Sequence, residues 1–186
     1  GWAKIPEIKN NFLKGIRMAS DFLMALQLTG AERKTLPSNL QLRLPILVVG
    51  SGLTAIDTAC EALAYYPKQV ENFSHHYQIL CEKLGKDEVE KSWNEEDKLI
   101  AKEFLEHHQL IQNAKTKGEN ITQLLQKLGG AKIIYRKRLQ DSPAYRLNHE
   151  EVAKAFEEGI EFIENATPIE AIEDGFGHLK SLKILV

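Results

Sequence analysis

Apolar positions along the chain predict alternating strands and helices. Residues 44–49 form a continuous apolar run rich in branched side chains, which is typical of a strand buried on both faces. A glycine-rich turn follows this run directly and leads into helical spacing over 56–65. Further strand-like runs come at 131–135 and 160–164, with a helix predicted between them. Alternation of this kind favours an α/β fold, built on a Rossmann-like parallel sheet with flanking helices.

Two segments flank this alternating core. Near the start, apolar residues at helical spacing predict a helix over 11–30, and a loop follows at 36–39. At the other end, strand-like runs at 169–172 and 179–186 flank a glycine-rich turn at 174–177. This pattern predicts a C-terminal β-hairpin.

The middle of the chain carries no strand pattern. Its apolar spacing predicts helices, and we interpret 67–130 as a helical insert within one domain that spans 1–186. The helices predicted in this segment are 69–84, 93–116 and 121–128. Ser92 with Glu95 forms a capping-box pattern at the start of 93–116, and Asn120 with Gln123 forms a second capping-box pattern at the start of 121–128. A further helix, after the second strand, is predicted to begin at Asn148 with Glu151 and to end at Gly159.

Composition and charge exclude several classes of protein. The chain has 186 residues, of which 43% are hydrophobic, enough to fill a packed core. Its 24 Lys and Arg against 26 Asp and Glu give a net charge of −2, which excludes a whole-chain electrostatic grip on nucleic acid or anionic lipid. No apolar run approaches the roughly 18 residues of a transmembrane helix, and the two cysteines are too few for a disulfide framework or a four-cysteine zinc site. We therefore expect a soluble, cytoplasmic protein that engages neither nucleic acid nor membrane.

The two ends of the chain predict that it is a segment of a longer protein. It opens at Gly1 without Met, and it closes on 179–186, a strand-like apolar run with no turn after it. An open apolar strand edge invites aggregation, so a natural carboxyl terminus seldom stops on one.

The glycine-rich turn is the first candidate site. Gly50-x-Gly52-x-x-Ala55, placed between a buried strand and a helix, is a dinucleotide-binding fingerprint. Gly50 permits the tight turn, Gly52 lets the backbone approach a pyrophosphate, and Ala55 lets helix and strand pack closely. The alternative is a merely tight strand-to-helix turn in an unrelated α/β protein. The free N–H groups at the helix start, near Leu53 and Thr54, would face the phosphates. The cofactor-binding candidates in this turn are Gly50, Ser51, Gly52, Leu53 and Thr54.

The end of the second predicted strand is the other candidate site. The fingerprint normally needs an acidic residue at the end of the second strand, about 20 residues after the glycine turn, to hold the ribose hydroxyls. In this chain that position falls near Asn72, inside the helical insert. With the insert set aside, the second strand is 131–135, and it is followed by Arg136, Lys137 and Arg138. Three cations suit the 2′-phosphate of NADP rather than the ribose of NAD. The alternative is a solvated basic loop at a strand end.

The residues of the turn also carry a family resemblance. The segment 46–57 resembles the NADPH-binding segment of the glutamate synthase small (beta) subunit, which is a pyridine nucleotide-disulfide oxidoreductase. That subunit belongs to a flavoprotein group that includes adrenodoxin reductase and the amino-terminal part of dihydropyrimidine dehydrogenase. The resemblance covers about 12–66 and 131–186. Further matching segments are 19–23, 135–137, 142–145, 150–151 and 157–162.

The resemblance implies an NADPH-binding domain set between two parts of an FAD domain of the same polypeptide. In this family NADPH reduces FAD, and the electrons pass to iron–sulfur clusters or to an electron-acceptor protein. By resemblance, Arg136 and Lys137 hold the 2′-phosphate, and Arg146 matches a further phosphate-binding Arg. The chain departs from the family at Leu53, where Asn or Asp is usual, and in the helical insert 67–130.

Other chemistry-bearing residues have simpler interpretations. Asp57 suits the positive end of the glycine-turn helix, and Cys60 lies in no CxxC pattern and is expected to be a small buried residue. Glu103 and His107 are four residues apart on one helix face, so a metal site is conceivable, but no set of four ligands is defined.

Three functional hypotheses follow. The first is an NADPH-binding domain that positions the nicotinamide for hydride transfer to a flavin held outside this chain, so that the isolated chain catalyses nothing. The second is a degenerate Rossmann module that acts in protein–protein contacts through its helical insert. The third is a nucleotide-dependent enzyme such as a methyltransferase, against which the basic strand end argues.

Overall fold

The computed structural model describes residues 6–29 and 40–186, so the predicted loop at 36–39, the end of the first predicted helix at Gly30 and the start of the chain lie outside the described residues. The fold is mixed α/β. The strands are β1 (Ile46–Val49), β2 (Ala131–Ile134), β3 (Glu161–Ile163), β4 (Thr167–Glu173) and β5 (Leu179–Leu185). The helices are α1 (Ala19–Thr29), α2 (Leu53–Leu84), α3 (Lys86–Glu90), α4 (Glu95–Lys117), α5 (Ile121–Lys127), α6 (Pro143–Leu147) and α7 (His149–Glu157).

The predicted parallel sheet is confirmed. Its three strands lie in the order β1-β2-β3, and both neighbouring pairs run parallel. Ile46 pairs with Ala131 at one end of the β1–β2 register, and Val49 pairs with Ile134 at the other. The first strand is shorter than the predicted 44–49 and begins just after Pro45, a residue that has no N–H to donate to a neighbouring strand.

The core lies between the sheet and the helices that cover it. Ile133, at the centre of β2, is completely buried. Tyr66 and Val70 of α2 and Val152 and Ala155 of α7 belong to the same buried cluster. No helix within the described ranges combines the length and the apolar character that a membrane span requires.

The helix that leaves the glycine turn is much longer than predicted. Helical stretches over 56–65 and 69–84, broken at Pro67, were expected, but α2 runs unbroken for 32 residues with Pro67 inside it. An interior proline costs about 3 kcal/mol. Tyr66 and Val70, on either side of it, are fully buried, and each buried apolar side chain contributes about 1.5–3 kcal/mol. The stabilisation from burying Tyr66 and Val70 therefore outweighs the cost of an interior proline. The start of the predicted insert is thus continuous with the helix before it.

The predicted helical character of 67–130 is confirmed, with corrections at the helix starts. The capping box of α4 is formed by Asn94 and Asp97, two residues later than the expected Ser92 and Glu95. The Asn94 side chain accepts the Asp97 N–H at 2.9 Å, and the Asp97 carboxylate accepts the Asn94 N–H at 3.0 Å. At α5 the Asn120 side chain accepts the Gln123 N–H, as predicted.

The first predicted helix is only partly confirmed. Instead of starting near residue 11, α1 starts at Ala19. Asn10 and Gly15 have positive φ values of 62° and 92°, which a helix does not tolerate. The segment before α1 instead makes parallel bridges from Lys9 to Glu170 and from Lys14 to His178. It therefore lies along the hairpin rather than forming a helix.

The predicted C-terminal hairpin is confirmed as the antiparallel pair β4–β5. Its turn is organised by Asp174, whose side chain accepts the N–H groups of Phe176 and His178 at 2.8 and 2.9 Å. These backbone hydrogen bonds hold the pKa of Asp174 below its usual range. Before the hairpin, α7 starts after Asn148 as predicted, but the Asn148 side chain makes no capping hydrogen bond.

The turn that leads into β2 gives a test of this packing. Gly129 has a φ of +124°, and a Cβ at this position would lie 2.9 Å from the Pro45 nitrogen. Because backbone must move and the φ is unfavourable, we expect Gly129→Ala to lower the free energy of unfolding by about 2 kcal/mol or more in urea titration. Gly175→Ala is the control, since a Cβ there meets nothing within 4 Å. Equal unfolding midpoints for the two variants would contradict the described contact.

Candidate functional site

The two sequence-predicted sites meet at one edge of the sheet. In the parallel register, the last residue of β1 pairs with the last residue of β2. One hydrogen bond extends this pairing into the turn, because the Gly50 N–H donates to the Ile134 carbonyl at 3.0 Å. The glycine turn and the basic segment 136–138 therefore leave neighbouring strands side by side, although more than eighty residues separate them in the sequence.

The two glycines of the turn differ in their backbone conformation and in their surroundings. Gly50 has a φ of +137°, which strains any residue with a side chain, and a Cβ there would lie 3.7 Å from the Ala55 Cβ. A Cβ at Gly52 would meet nothing within 4 Å. The first glycine is thus required by its backbone conformation, whereas the second leaves its surroundings in the described part of the chain open to an approaching group.

The start of α2 presents backbone donors at this edge. Gly52 is the N-cap residue, and its carbonyl accepts the N–H groups of Ala55 and Ile56. Among the hydrogen bonds of the described residues, none takes the N–H of Leu53 or of Thr54. These donors, at the positive end of a 32-residue helix, can bind an anion.

The side chains around the turn differ in exposure and charge. Ser51 is buried, whereas Leu53 and Thr54 are exposed. No acidic residue lies in the first turn of α2. Asp57 therefore lies beyond the first turn, where a carboxylate was expected to interact favourably with the positive end of the helix. The positive end of the helix is therefore left without a neutralising carboxylate of its own.

The basic segment is held by its backbone rather than by its side chains. The Lys137 carbonyl accepts the Asn165 N–H at 3.1 Å, and the Tyr135 carbonyl accepts the Ala166 N–H at 3.0 Å. The next residue, Leu139, donates its N–H to the Glu164 carboxylate. The loop after β2 is thus fixed against the segment after β3, while its long cationic side chains stay exposed.

The structure divides the four predicted cations into two pairs. Arg138 binds the Asp141 carboxylate with N–O distances of 3.1 and 3.4 Å, and Arg146 lies 3.9 Å from the same carboxylate. The hydrogen bond from Arg138 holds the pKa of Asp141 below its usual range. Arg136 and Lys137 form no ion pair with any described residue. Of the four predicted cations, Arg136 and Lys137 are therefore the two without an ion pair among the described residues.

Arg146 reaches the basic segment because of a short helix. Ser142 is fully buried and caps α6, since its side-chain oxygen accepts the Tyr145 N–H at 3.0 Å. This places Arg146 on the exposed side of α6 and brings it near Arg138 through the shared Asp141. Sequence reasoning missed Asp141, although its position three residues after Arg138 is a spacing at which opposite charges can pair.

The candidate metal ligands do not converge on one point. Glu103 accepts three hydrogen bonds from the Arg43 guanidinium, at 3.3, 3.1 and 2.5 Å. His107 shares a 2.6 Å hydrogen bond between its Nδ1 atom and the Tyr66 hydroxyl. Within residues 6–29 and 40–186, no three His, Cys, Asp or Glu side chains gather in a way that could hold a metal ion.

Cys60 lies on α2 close to the turn and is half-buried. Burial, together with a hydrogen bond to the Glu158 carboxylate, raises the pKa of the Cys60 thiol to about 12. Its thiolate is therefore scarce at neutral pH. The prediction that Cys60 is buried is only partly confirmed, since part of its side chain is exposed.

Comparison with known proteins adds one relative. No protein-family model matches the chain. The chain is 44% identical, over all 186 of its residues, to the Rickettsia prowazekii (strain Madrid E) protein named "Uncharacterized protein RP006". It spans a quarter of that relative's length. The similarity thus extends over the glycine turn and the basic segment together.

Cys60 provides a test of the packing beside the turn. In a Cys81→Ser background, we expect Cys60 to react with iodoacetamide about a thousandfold more slowly in the folded protein than in urea, because only the thiolate reacts. The rate in the folded protein should rise with pH well beyond pH 9. A folded-state rate that matches the rate in urea would show that Cys60 is neither buried nor bonded as described.

Proposed function

We propose that this chain is the NADPH-binding domain of an FAD-dependent oxidoreductase. In this proposal a Rossmann-like sheet holds the nucleotide at the carboxyl ends of β1 and β2. The observation that carries it is the β1–β2 register, which sets the open glycine turn beside the two unpaired cations of the basic segment. The cytoplasmic location predicted from the sequence is part of the same proposal.

The pyrophosphate is assigned to the glycine turn. The open space at Gly52 allows close backbone approach, and the N–H groups of Leu53 and Thr54 have no other acceptor among the described residues. The helix N-terminus adds a favourable field for negative charge. The parallel order β1-β2-β3 supports this assignment, since dinucleotides bind at the carboxyl ends of such strands.

The 2′-phosphate is assigned to the basic segment. Arg136 and Lys137 follow β2 at the place where an NAD-binding site carries an acid for the ribose hydroxyls. A guanidinium can form two parallel hydrogen bonds to a phosphate, and the ammonium adds a second charge. Because neither cation is committed to a carboxylate of the described residues, binding a phosphate does not first require breaking an ion pair. This favours NADPH over NADH.

The hydride acceptor is assigned to FAD held by segments outside this chain. Bound NADPH would supply the hydride, and the residues of this chain would anchor its phosphates and so orient the nicotinamide. Cys60 cannot accept these electrons, because Cys60 and Cys81 are both free thiols and a thiol is already the reduced form of a cysteine pair. The isolated chain is therefore expected to bind nucleotide without catalysing its oxidation. An electron-acceptor protein is a further partner in this proposal.

A second candidate function rests on a groove in the helical segment. The groove has a volume of about 420 Å³ and an aromatic and aliphatic lining from α2, α3 and the turn before α4. Phe73 begins this lining some twenty residues into α2, which places the groove about 30 Å along the helix from Gly52. Leu53 also replaces a polar residue in the glycine turn, which removes a polar contact to a nucleotide. The groove and this replacement together favour a module that binds proteins rather than nucleotide. Its lining residues are Phe73, His76, Tyr77, Leu80, Leu84, Glu88, Val89 and Trp93.

Nucleotide titration separates the two candidates. By isothermal calorimetry on the whole chain, we expect NADPH to bind more tightly than NADH. Arg136→Ala should weaken NADPH binding by about tenfold or more and leave NADH binding nearly unchanged, because one charge-assisted phosphate contact is lost. Arg17→Ala, which removes an exposed arginine before α1, is the matched control and should change neither affinity.

Two outcomes would count against the nucleotide-binding proposal. Equal affinity for NADPH and NADH would remove the 2′-phosphate assignment. Absence of binding by either nucleotide, with the chain folded by circular dichroism, would favour the protein-binding module.

A further inference from the structure

One carboxylate of this chain already occupies part of the basic segment. The Asp141 carboxylate accepts hydrogen bonds from Nε and Nη2 of the Arg138 guanidinium, at 3.1 and 3.4 Å. The Arg146 guanidinium approaches the same carboxylate to 3.9 Å. Two of the four predicted phosphate-binding cations are therefore gathered around an anion that belongs to the protein.

The backbone that carries Asp141 is well anchored. Asp141 ends a single 3-10 turn, Leu139–Asp141, which starts at the buried Leu139. The Leu139 N–H donates to the Glu164 carboxylate, and the Asp141 N–H donates to the Arg138 carbonyl at 3.0 Å. The following residue, Ser142, is fully buried. The turn that presents the carboxylate is thus fixed by its backbone, while the carboxylate itself contacts Arg138 and Arg146.

The ion pair itself is accessible and exchangeable. The Arg138 side chain is 63% exposed and that of Asp141 is 32% exposed. Ion pairs at such positions contribute little to stability because water solvates both partners well. Carboxylate and phosphate bind the arginine fork in the same bidentate manner, but a phosphate monoester carries a charge of about −1.5 to −2 at neutral pH. A phosphate can therefore displace the carboxylate from Arg138.

We propose that Asp141 is an internal competitor for the 2′-phosphate of NADPH and sets how tightly this site holds it. This inference rests on the proposed nucleotide-binding function. In the free protein Asp141 holds Arg138 and Arg146 beside the exit of β2. When the nucleotide binds, Arg138 exchanges the Asp141 carboxylate for the 2′-phosphate. The carboxylate then remains close to the phosphate and repels it, which weakens binding and speeds release of the nucleotide.

The effect is specific to nucleotides that carry the 2′-phosphate. NADH has no group to exchange with Asp141, so its affinity does not include the competition. Arg136 and Lys137, which have no carboxylate partner in the described residues, make the first contact with the phosphate. Asp141 stays ionised throughout the neutral range, since its hydrogen bond from Arg138 lowers its pKa. The competition is thus always present and is not switched by physiological pH.

Asp141→Asn tests the competition. The asparagine keeps the size of the side chain and removes the negative charge. In calorimetric titration of the whole chain, we expect NADPH to bind about three- to tenfold more tightly than to the unaltered protein, which is the effect of one exposed charge at close range. NADH should bind within about twofold of the original affinity. The fragments 2′,5′-ADP and 5′-AMP should show the same contrast.

Asp87→Asn is the matched control. It makes the same change in net charge on an exposed residue of α3, beyond the far end of the 32-residue α2, which separates it from the glycine turn by about 48 Å. A charge at that distance is screened in ordinary buffer. We therefore expect Asp87→Asn to leave both affinities unchanged. Asp141→Glu, which keeps the charge, should not gain the tighter NADPH binding.

The outcomes are distinguishable. Tighter NADPH binding in Asp141→Asn alone supports the inference. An affinity equal to that of Asp87→Asn, or an equal gain for NADPH and NADH, overturns it while leaving the nucleotide-binding proposal standing. Failure of the unaltered protein and of every variant to bind any of the four probes overturns both.

Discussion

The parallel pairing of β1 with β2 is the constraint on which the rest of the molecule depends. It is bracketed by two hydrogen bonds, from the Ile46 N–H to the Gly130 carbonyl at 2.9 Å and from the Gly50 N–H to the Ile134 carbonyl at 3.0 Å. Between them Ile133 is completely buried, in the cluster that also contains residues of α2 and α7. If the register moved by one residue, the side chains of the shifted strand would turn to the opposite face of the sheet. The glycine turn and the basic segment would also lose their alignment.

This pairing tolerates the long helical segment between the strands for a physical reason. Closing a longer loop costs only about 0.6 kcal/mol for each doubling of its length. The segment also offsets its own ordering by packing, because Phe104 and Ile111 of α4 join the same core as Tyr66 of α2. Since α2 is unbroken, the helical segment begins as a direct continuation of the helix that starts at the glycine turn. The groove it carries lies far from the sheet edge where the phosphates are assigned.

Local patterns predicted the sheet and the turn well, because their causes are local. A branched apolar run marks β1, Gly50 needs a positive φ, and Asp174 with its glycines forms the hairpin turn. Two features depended on contacts that no local pattern shows. Pro67 stays inside α2 because residues on both sides of it are buried. Lys9 lies along the hairpin because its N–H donates to the Ile169 carbonyl at 3.1 Å and its carbonyl accepts the Ala171 N–H at 2.9 Å. The site was predicted as a set of cations, but its division by Asp141 needed the three-dimensional arrangement. In the proposed site, this division leaves Arg136 and Lys137 as the cations without a carboxylate partner among the described residues.

The central claim is that one nucleotide spans the glycine turn and the end of β2. The most direct measurement is a set of ¹H–¹⁵N correlation spectra of the labelled chain during titration with NADPH. The account predicts shifts concentrated in the backbone amides of 50–54 and 135–138, with the amides of α3 and of the hairpin turn unchanged. Shifts confined to the groove of Phe73 and Trp93, or an unchanged spectrum at saturating nucleotide, would contradict it.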